Sequence, residues 1–343
     1  MRFVRVLTLA ALAAVPPLSA YAQAGAQNTP QARVEVPLRE VVLSNGTRRY
    51  AVPITVGGQA MDAGLDTGSV GLRVLNRAIA GAQVEQTSHT TTYSYGIGTR
   101  FKGVVAHAIV GFGALSGPVT IDVIQKIDCH TDKPACPAAH ADPATVGVQG
   151  DGLAGEGFPA ILGINMGDDE VPNPLEKLGV KRWIVELPQP GPKPGDTTPG
   201  KLILNPTADE TTGYVMFPTV KGLGDSDGAA HDAIDGCLRD VKSGATVCGA
   251  LMLDSGAPGI RVAGAERLKP WPDGDPAQIV FVKDGKPALV VDFAVGRRDQ
   301  ASRFTSESDP QLRVPHLYAG LTPYFAFDVL YDPAHEQVGL KAR

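Results

Sequence analysis

Leu65-Asp66-Thr67-Gly68-Ser69-Val70-Gly71-Leu72-Arg73-Val74 decides how this chain is read, because it returns as Leu253-Asp254-Ser255-Gly256-Ala257-Pro258-Gly259-Ile260-Arg261-Val262. Six of the ten positions are identical, at a separation of 254 − 66 = 188 residues. Each copy sets an acidic residue behind an apolar run and before a small hydroxyl residue and a glycine. Those are ordinary turn residues, so one copy alone says little. Two copies that both leave through Gly, an aliphatic residue, Arg and Val read as two related lobes. Each lobe would present one carboxylate at the tip of a turn.

Outward from the turns the pattern is that of strands. Ser44-Asn45-Gly46 is a hairpin turn, and Ile54-Thr55-Val56 runs into Gly57-Gly58 ahead of the first Asp. Residues 87–94 have no apolar face and read as an exposed hairpin arm, rising to a tip at Tyr95-Gly96-Ile97-Gly98 where glycines permit a tight bend. Residues 104–110 and 119–127 are further strands, and 160–164 is a short apolar run that ends on a turn. Residues 200–205 and 214–217 read as a strand pair entering the second lobe, and hairpins are expected around residues 240–244 and Asp284-Gly285. Helical signals are few, the clearest at 174–178. Many short strands with an internal repeat predict an all-β, two-lobed protein.

With 343 residues there is room for two lobes of ordinary size. Residues 1–22 read as a signal peptide: Arg2 and Arg5 precede an apolar run, and Ala20-Tyr21-Ala22 supplies a cleavage site. That run, broken by Pro16 and Pro17, is too short for a transmembrane anchor. Residues 23–33 form a short lead-in, 34–199 an N-terminal lobe with Asp66 and the tip, and 200–343 a C-terminal lobe with Asp254. The chain is therefore expected to be exported, periplasmic or secreted. In an oxidising compartment Cys129 with Cys136, and Cys237 with Cys248, are most simply two local disulfides, although four cysteines allow three connectivities. Neither pair has zinc-site spacing. A net charge of −5 without a basic patch argues against a nucleic-acid partner. The acidic runs Asp168-Asp169-Glu170 and Asp225-Ser226-Asp227-Gly228 lack an EF-hand pattern and read as solvated loops, so no metal is expected.

At this point the chain resembles the pepsin-like aspartic peptidases, as an exported bacterial member, from about residue 34 to its end. Asp66-Thr67-Gly68-Ser69 matches the first catalytic motif of that family and Asp254-Ser255-Gly256 stands for the second. Tyr95-Gly96-Ile97-Gly98 is similar to the tip of the substrate-covering flap, with Tyr95, Gly96 and Gly98 as its binding residues. Ile161-Leu162-Gly163, Arg182-Trp183-Ile184-Val185-Glu186-Leu187 and Phe327-Asp328-Val329-Leu330-Tyr331-Asp332 look like later landmarks in the same order. The resemblance implies a bilobal acid-protease fold with two β-barrel-like lobes and the active site in the cleft between them. It also implies endopeptidase activity on an extended peptide or protein, without cofactor, by a water activated between Asp66 and Asp254. Thr67, Gly68, Ser69, Ser255 and Gly256 would support the two turns, and the protein would act as a monomer.

Two positions depart from the family. Arg73 stands where the family usually carries a Trp near the flap Tyr, and Ala257 stands where a Thr or Ser usually hydrogen-bonds the second carboxylate. Loss of that donor raises the expected pKa of the pair and shifts the expected activity toward milder acid. The alternative is a peptide-binding or inhibitor-like protein on the same fold with little or no turnover. A structural envelope protein would also tolerate the repeat. A Ser/His/Asp hydrolase finds no support, since no Gly-x-Ser-x-Gly elbow occurs.

Overall fold

The computed structural model describes residues 32–190, 197–220 and 232–343. The expected signal peptide, most of the expected lead-in, part of the 188–200 segment and the acidic run at 225–228 lie outside the described residues. Residues Ala32–Arg343 form one compact unit, and its regular structure is almost entirely strand.

Strand character follows the sequence pattern closely. In Val34–Val42 the buried Val34, Val36 and Leu38 alternate with exposed Glu35, Pro37 and Arg39, as a sheet with one wet face requires. By contrast Val70–Leu75 and Ala160–Ile164 are buried at every position, so both are central strands covered on two sides. These two strands set the first turn. Gln59–Asp66 runs parallel to Ala160–Ile164, which runs antiparallel to Val70–Leu75, which in turn pairs in parallel with Leu115–Cys129. The returning strand thus lies between the two arms of the Asp66 turn and holds them apart at a fixed spacing.

The second half repeats this arrangement. Thr246–Met252 is parallel to His316–Tyr318, which is antiparallel to Ile260–Gly264, which pairs in parallel with Phe304–Ser308. The sequence repeat is therefore also a repeat of topology, and it puts Asp254 at a turn built like that of Asp66.

The two halves meet in a run of six antiparallel strands in the order Val215–Pro218, Gln337–Ala342, Phe327–Asp332, Trp183–Glu186, Gly200–Leu204 and Val34–Val42. Strands from both ends of the chain are interleaved there. Gly200–Leu204 and Val215–Pro218, expected to pair with one another, are separated by three strands. Both edges of Gly200–Leu204 are already taken, by Val34–Val42 and Trp183–Glu186, so the chain must cross the sheet before it can pair again. Trp183 is fully buried here and stacks on Tyr331 at 5.8 Å. The main apolar core runs from Val34 to Leu340 through both halves, with smaller clusters beside it.

Thr99–Phe112 and Leu115–Cys129 make one long hairpin, and Val84–Ser94 adds to its edge. The turn between Val84–Ser94 and Thr99–Phe112 is the Tyr95–Gly98 tip, closed by Tyr95 N–H to Thr99 O (2.9 Å) and Gly98 N–H to Tyr95 O (2.7 Å). Gly98 has φ +92°, a conformation that side-chain-bearing residues rarely adopt. Both local disulfides are present, Cys129–Cys136 and Cys237–Cys248. The second joins directly opposed residues of one hairpin. Among the described residues no helix is long and apolar enough to cross a membrane.

Candidate active site

The two Asp turns are tied to each other crosswise. The Thr67 backbone N–H donates to Ser255 Oγ (3.0 Å) and the Ser255 N–H donates to Thr67 Oγ1 (2.9 Å). Each hydroxyl then passes its own proton across the boundary, Thr67 Oγ1 to Leu253 O (2.7 Å) and Ser255 Oγ to Leu65 O (3.3 Å). A hydroxyl is needed at both places, because each oxygen must accept from one backbone and donate to the other. That is why the repeat keeps Thr and Ser where other positions drift.

Glycine is equally required. A Cβ on Gly68 would lie 2.4 Å from the Asp254 carboxyl, and one on Gly256 would lie 2.5 Å from Asp66 Oδ1. Each glycine is thus the floor against which the opposite carboxyl rests. The carboxyls of Asp66 and Asp254 act on each other's ionisation, so they titrate as one unit.

The support given to the two carboxyls is unequal. Asp66 accepts from Gly68 N–H (2.9 Å) and from the Ser69 hydroxyl (2.7 Å). Asp254 accepts only backbone donors, Gly256 N–H (2.9 Å) and Ala257 N–H (3.1 Å). Burial raises both pKa values. For Asp66 it is opposed by Ser69, Gly68 and the charge of Arg73. For Asp254 burial is reinforced by the negative charge of Asp66, and Arg261 and the two backbone donors only partly offset it, leaving the pKa pushed up to about 7. The residue is partly open to solvent, while the atoms packed around its carboxyl still strip it of water. The Ser69 hydroxyl, the Gly68 N–H and the charge of Arg73 thus favour negative charge on Asp66, while burial and the charge of Asp66 favour a proton on Asp254.

Arg73 is 1 % exposed and lies beneath the flap. Its guanidinium carbon is 3.5 Å from the centre of the Tyr93 ring, and it donates to Val70 O (2.5 Å) and Asp169 Oδ2 (2.7 Å). Asp122, 3.8 Å away, completes its surroundings and accepts from Thr91 on the flap arm. Two members of the acidic run 168–170 are thus engaged, Asp169 by the Arg73 cation and Glu170 by the His89 ring. Tyr95 packs edge-on against Tyr93 and Phe101, and its buried hydroxyl has no hydrogen-bond partner among the described residues. Gly96 and Gly98 shape the tip. Gly96 O accepts from Lys133 Nζ (2.6 Å), Gly98 O accepts from His130 N–H (2.8 Å), and both donors lie in the Cys129–Cys136 loop.

Four polar features of the site escaped the sequence reading. Arg49, 3 % exposed, donates to Gly256 O (2.6 Å) and Gln149 O (3.0 Å) and pairs with Asp151, so the first half grips the second Asp turn directly. Tyr324 shares hydrogen bonds with Thr67 Oγ1 (2.8 Å) and Tyr331 (2.6 Å) behind the turns. Asn165 donates to Asp232 (2.7 Å) and to Thr67 O (3.4 Å). Asp232 is a further buried carboxyl, and burial lifts its pKa well above the usual range. Among the described residues no three His, Cys, Asp or Glu side chains gather where they could hold a metal ion.

No protein-family model matches the sequence, and no curated protein does. Solved structures do match. The crystal structure of an aspartic proteinase from Irpex lacteus covers 91% of this chain, and the chain covers 97% of that one, with a TM-score of 0.58 at 17% identity. At that identity the likeness is one of fold: this chain has the all-β, bilobal pepsin-like architecture.

Proposed function

We propose that the chain is an exported aspartic-type endopeptidase that hydrolyses peptide bonds with a water held between Asp66 and Asp254. The observation that carries this reading is the crosswise Thr67–Ser255 tie with Gly68 and Gly256 each against the opposite carboxyl. A turn that merely ends a strand has no use for a second buried carboxyl at its floor, which costs stability through desolvation.

In this mechanism the Asp66 carboxylate takes a proton from water as the water oxygen bonds to the peptide carbonyl carbon. The Asp254 carboxyl gives its proton to the carbonyl oxygen, forming a neutral tetrahedral diol. The diol then collapses. The C–N bond breaks, the amine leaves with the proton held on Asp66, and a diol hydroxyl returns a proton to Asp254. Ser69 and Gly68 keep Asp66 ionised for the first step, and the aromatic flap excludes water from the reacting centre. The substrate binds extended beneath the tip through main-chain hydrogen bonds. Both carboxyls come from one chain, which supports action as a monomer. Two disulfides, together with the apolar leader and its cleavage signal, support export to the periplasm or beyond.

The test is peptide cleavage scanned from acid to neutral pH with the wild type, Asp66→Asn and Asp254→Asn. Loss of cleavage in both variants is expected. Cleavage that survives either substitution sinks the assignment of the pair.

A further inference from the structure

Arg261 is the repeat counterpart of Arg73 but is placed differently. Its guanidinium carbon lies 3.8 Å from the centre of the Tyr318 ring, and the other side of its plane meets the flap tip. A Cβ on Gly96 would come within 2.7 Å of the guanidinium carbon and both terminal nitrogens. Arg261 therefore spans the cleft between the second Asp turn and the flap, close enough for its charge to act on Asp254. Its Nη1 pairs with Glu307. The same Glu307 also binds Lys133 Nζ (2.8 Å), the group that holds Gly96 O. Two cations thus share one carboxylate. Nε and Nη2 of Arg261 make no hydrogen bond among the described residues, and the side chain is 23% exposed.

We propose that Arg261 forms a substrate subsite that selects a carboxylate side chain, Asp or Glu, close to the scissile bond. The proposal rests on the peptidase reading and names a substrate class for it. A planar guanidinium fixed between an aromatic ring and a backbone has lost little freedom still to be lost on binding, and its free edge matches a carboxylate. Glu307 satisfies one side of the pair of cations, leaving one positive charge for an incoming anion. An apolar residue there would desolvate the free edge of Arg261 without giving it a partner, while a Lys would meet like charge. The groups facing Arg261 are Glu307, Lys133, Tyr318 and, toward the reacting centre, Asp254. None supplies a second carboxylate at its free edge. Acidic selection also agrees with the pair's chemistry. A substrate Glu is ionised above about pH 4.3, and Asp254 keeps its proton up to about 7. Binding and catalysis therefore share a mildly acidic window.

A randomised octapeptide library, digested at pH 5.5, gives the cleavage preferences, and a matched Glu/Gln pair of the best-cut peptide measures them. The expected kcat/KM advantage of Glu over Gln is about 10- to 100-fold, the range of one charge-assisted hydrogen bond. The advantage disappears below about pH 4, where the substrate carboxyl is protonated. Arg261→Gln removes the advantage. Glu307→Gln, which frees Arg261 from its resident partner, enlarges it, so the two variants move in opposite directions. No enrichment of Asp or Glu at any position within two residues of the scissile bond overturns the subsite, as does a Glu/Gln ratio unchanged by both variants. If the wild type cleaves nothing in the library at any pH, the peptidase reading fails instead. The subsite is then judged by fluorescence anisotropy of a labelled Glu octapeptide against its Gln analogue on the same protein. Equal affinities there overturn it, and tighter binding of the Glu peptide that Arg261→Gln abolishes upholds it.

Discussion

Asp66 is served by a side-chain hydroxyl and Asp254 is not, and one methyl-to-hydroxymethyl change can equalise them. Ala257→Ser places an O–H in the position that Ser69 holds in the first turn, where it donates to Asp66 at 2.7 Å. A hydrogen bond to an ionised group contributes about 1.5–3 kcal/mol. With 1.36 kcal/mol per pKa unit, the new donor lowers the pKa of Asp254 by roughly 1–2 units. The wild-type pair loses its last proton near pH 7, so its kcat/KM profile should fall away on the alkaline side near that value. In Ala257→Ser that limb moves to about pH 5–6, and activity at pH 6.5 drops about tenfold while activity at pH 4.5 is retained. Ser69→Ala does the reverse. It removes a donor from the ionised partner, raises the lower limb by a similar amount, and narrows the bell from the acid side. The assay is kcat/KM against pH on one uncharged peptide, so that only enzyme groups titrate. An alkaline limb that stays at the wild-type position in Ala257→Ser refutes the argument, and so does a wild-type limb below about pH 5.

Gly68→Ala pushes a methyl to 2.4 Å from the Asp254 carboxyl, and the resulting misplacement should lower kcat/KM by at least about 100-fold. A variant with near-normal turnover contradicts the packing described. Arg73→Met leaves Asp169 and Asp122 without their cation and removes the group under Tyr93. Breaking such a buried arrangement costs about 3–5 kcal/mol, read as a lower denaturant midpoint, and a loss below about 1 kcal/mol rejects it. Stability should also depend on pH through Asp254. Its pKa rises from 3.8 unfolded to about 7 folded, so the folded state binds the extra proton. The contribution is complete below the unfolded value and disappears as pH rises through the folded one. Tm therefore declines from pH 4 toward pH 8, and Asp254→Asn flattens the decline. A slope that persists unchanged in the variant contradicts the assignment.

The parts of this protein that could be read from the sequence are those with a local signature. The Asp turns announce themselves because the same ten-residue pattern occurs twice. The flap tip is visible as two glycines around one residue, and Cys129 with Cys136 as a short spacing. The polar residues behind the turns carry no such signature. Arg49 reaches Gly256 O across 207 positions, and Thr67 reaches Tyr324 across 257. Each is one polar residue in an otherwise ordinary strand or loop, and only tertiary folding gives it a partner. The exchange of strands between the two halves escaped for the same reason. Alternation in residues 200–205 and 214–217 identifies strands, but it holds no information about which edges are already filled.

The two arginines of the repeat bring these strands of argument together. Both leave their turn at the same place and both lie on a tyrosine ring, Arg73 on Tyr93 and Arg261 on Tyr318. The repeat accounts for the placement of the arginines but not for their rings, since Tyr318 is the strand neighbour of Arg261 while the same place beside Arg73 holds Ile161 and Tyr93 comes from the flap arm. Their partners differ. Arg73 is sealed in and fixed by Val70 O and Asp169, so it acts as a strut under the flap arm and as a constant positive charge near Asp66. Arg261 is held by one exchangeable carboxylate and meets the tip from across the cleft. The first turn thus gives its carboxyl a hydroxyl donor and a buried cation. The second gives its carboxyl no hydroxyl donor and a partly exposed cation. A duplicated lobe with two identical halves could not assign acid and base between its carboxyls. In this chain Ser69 against Ala257, and a sealed arginine against an open one, bias charge toward Asp66 and a proton toward Asp254, the division of roles that the proposed peptidase needs.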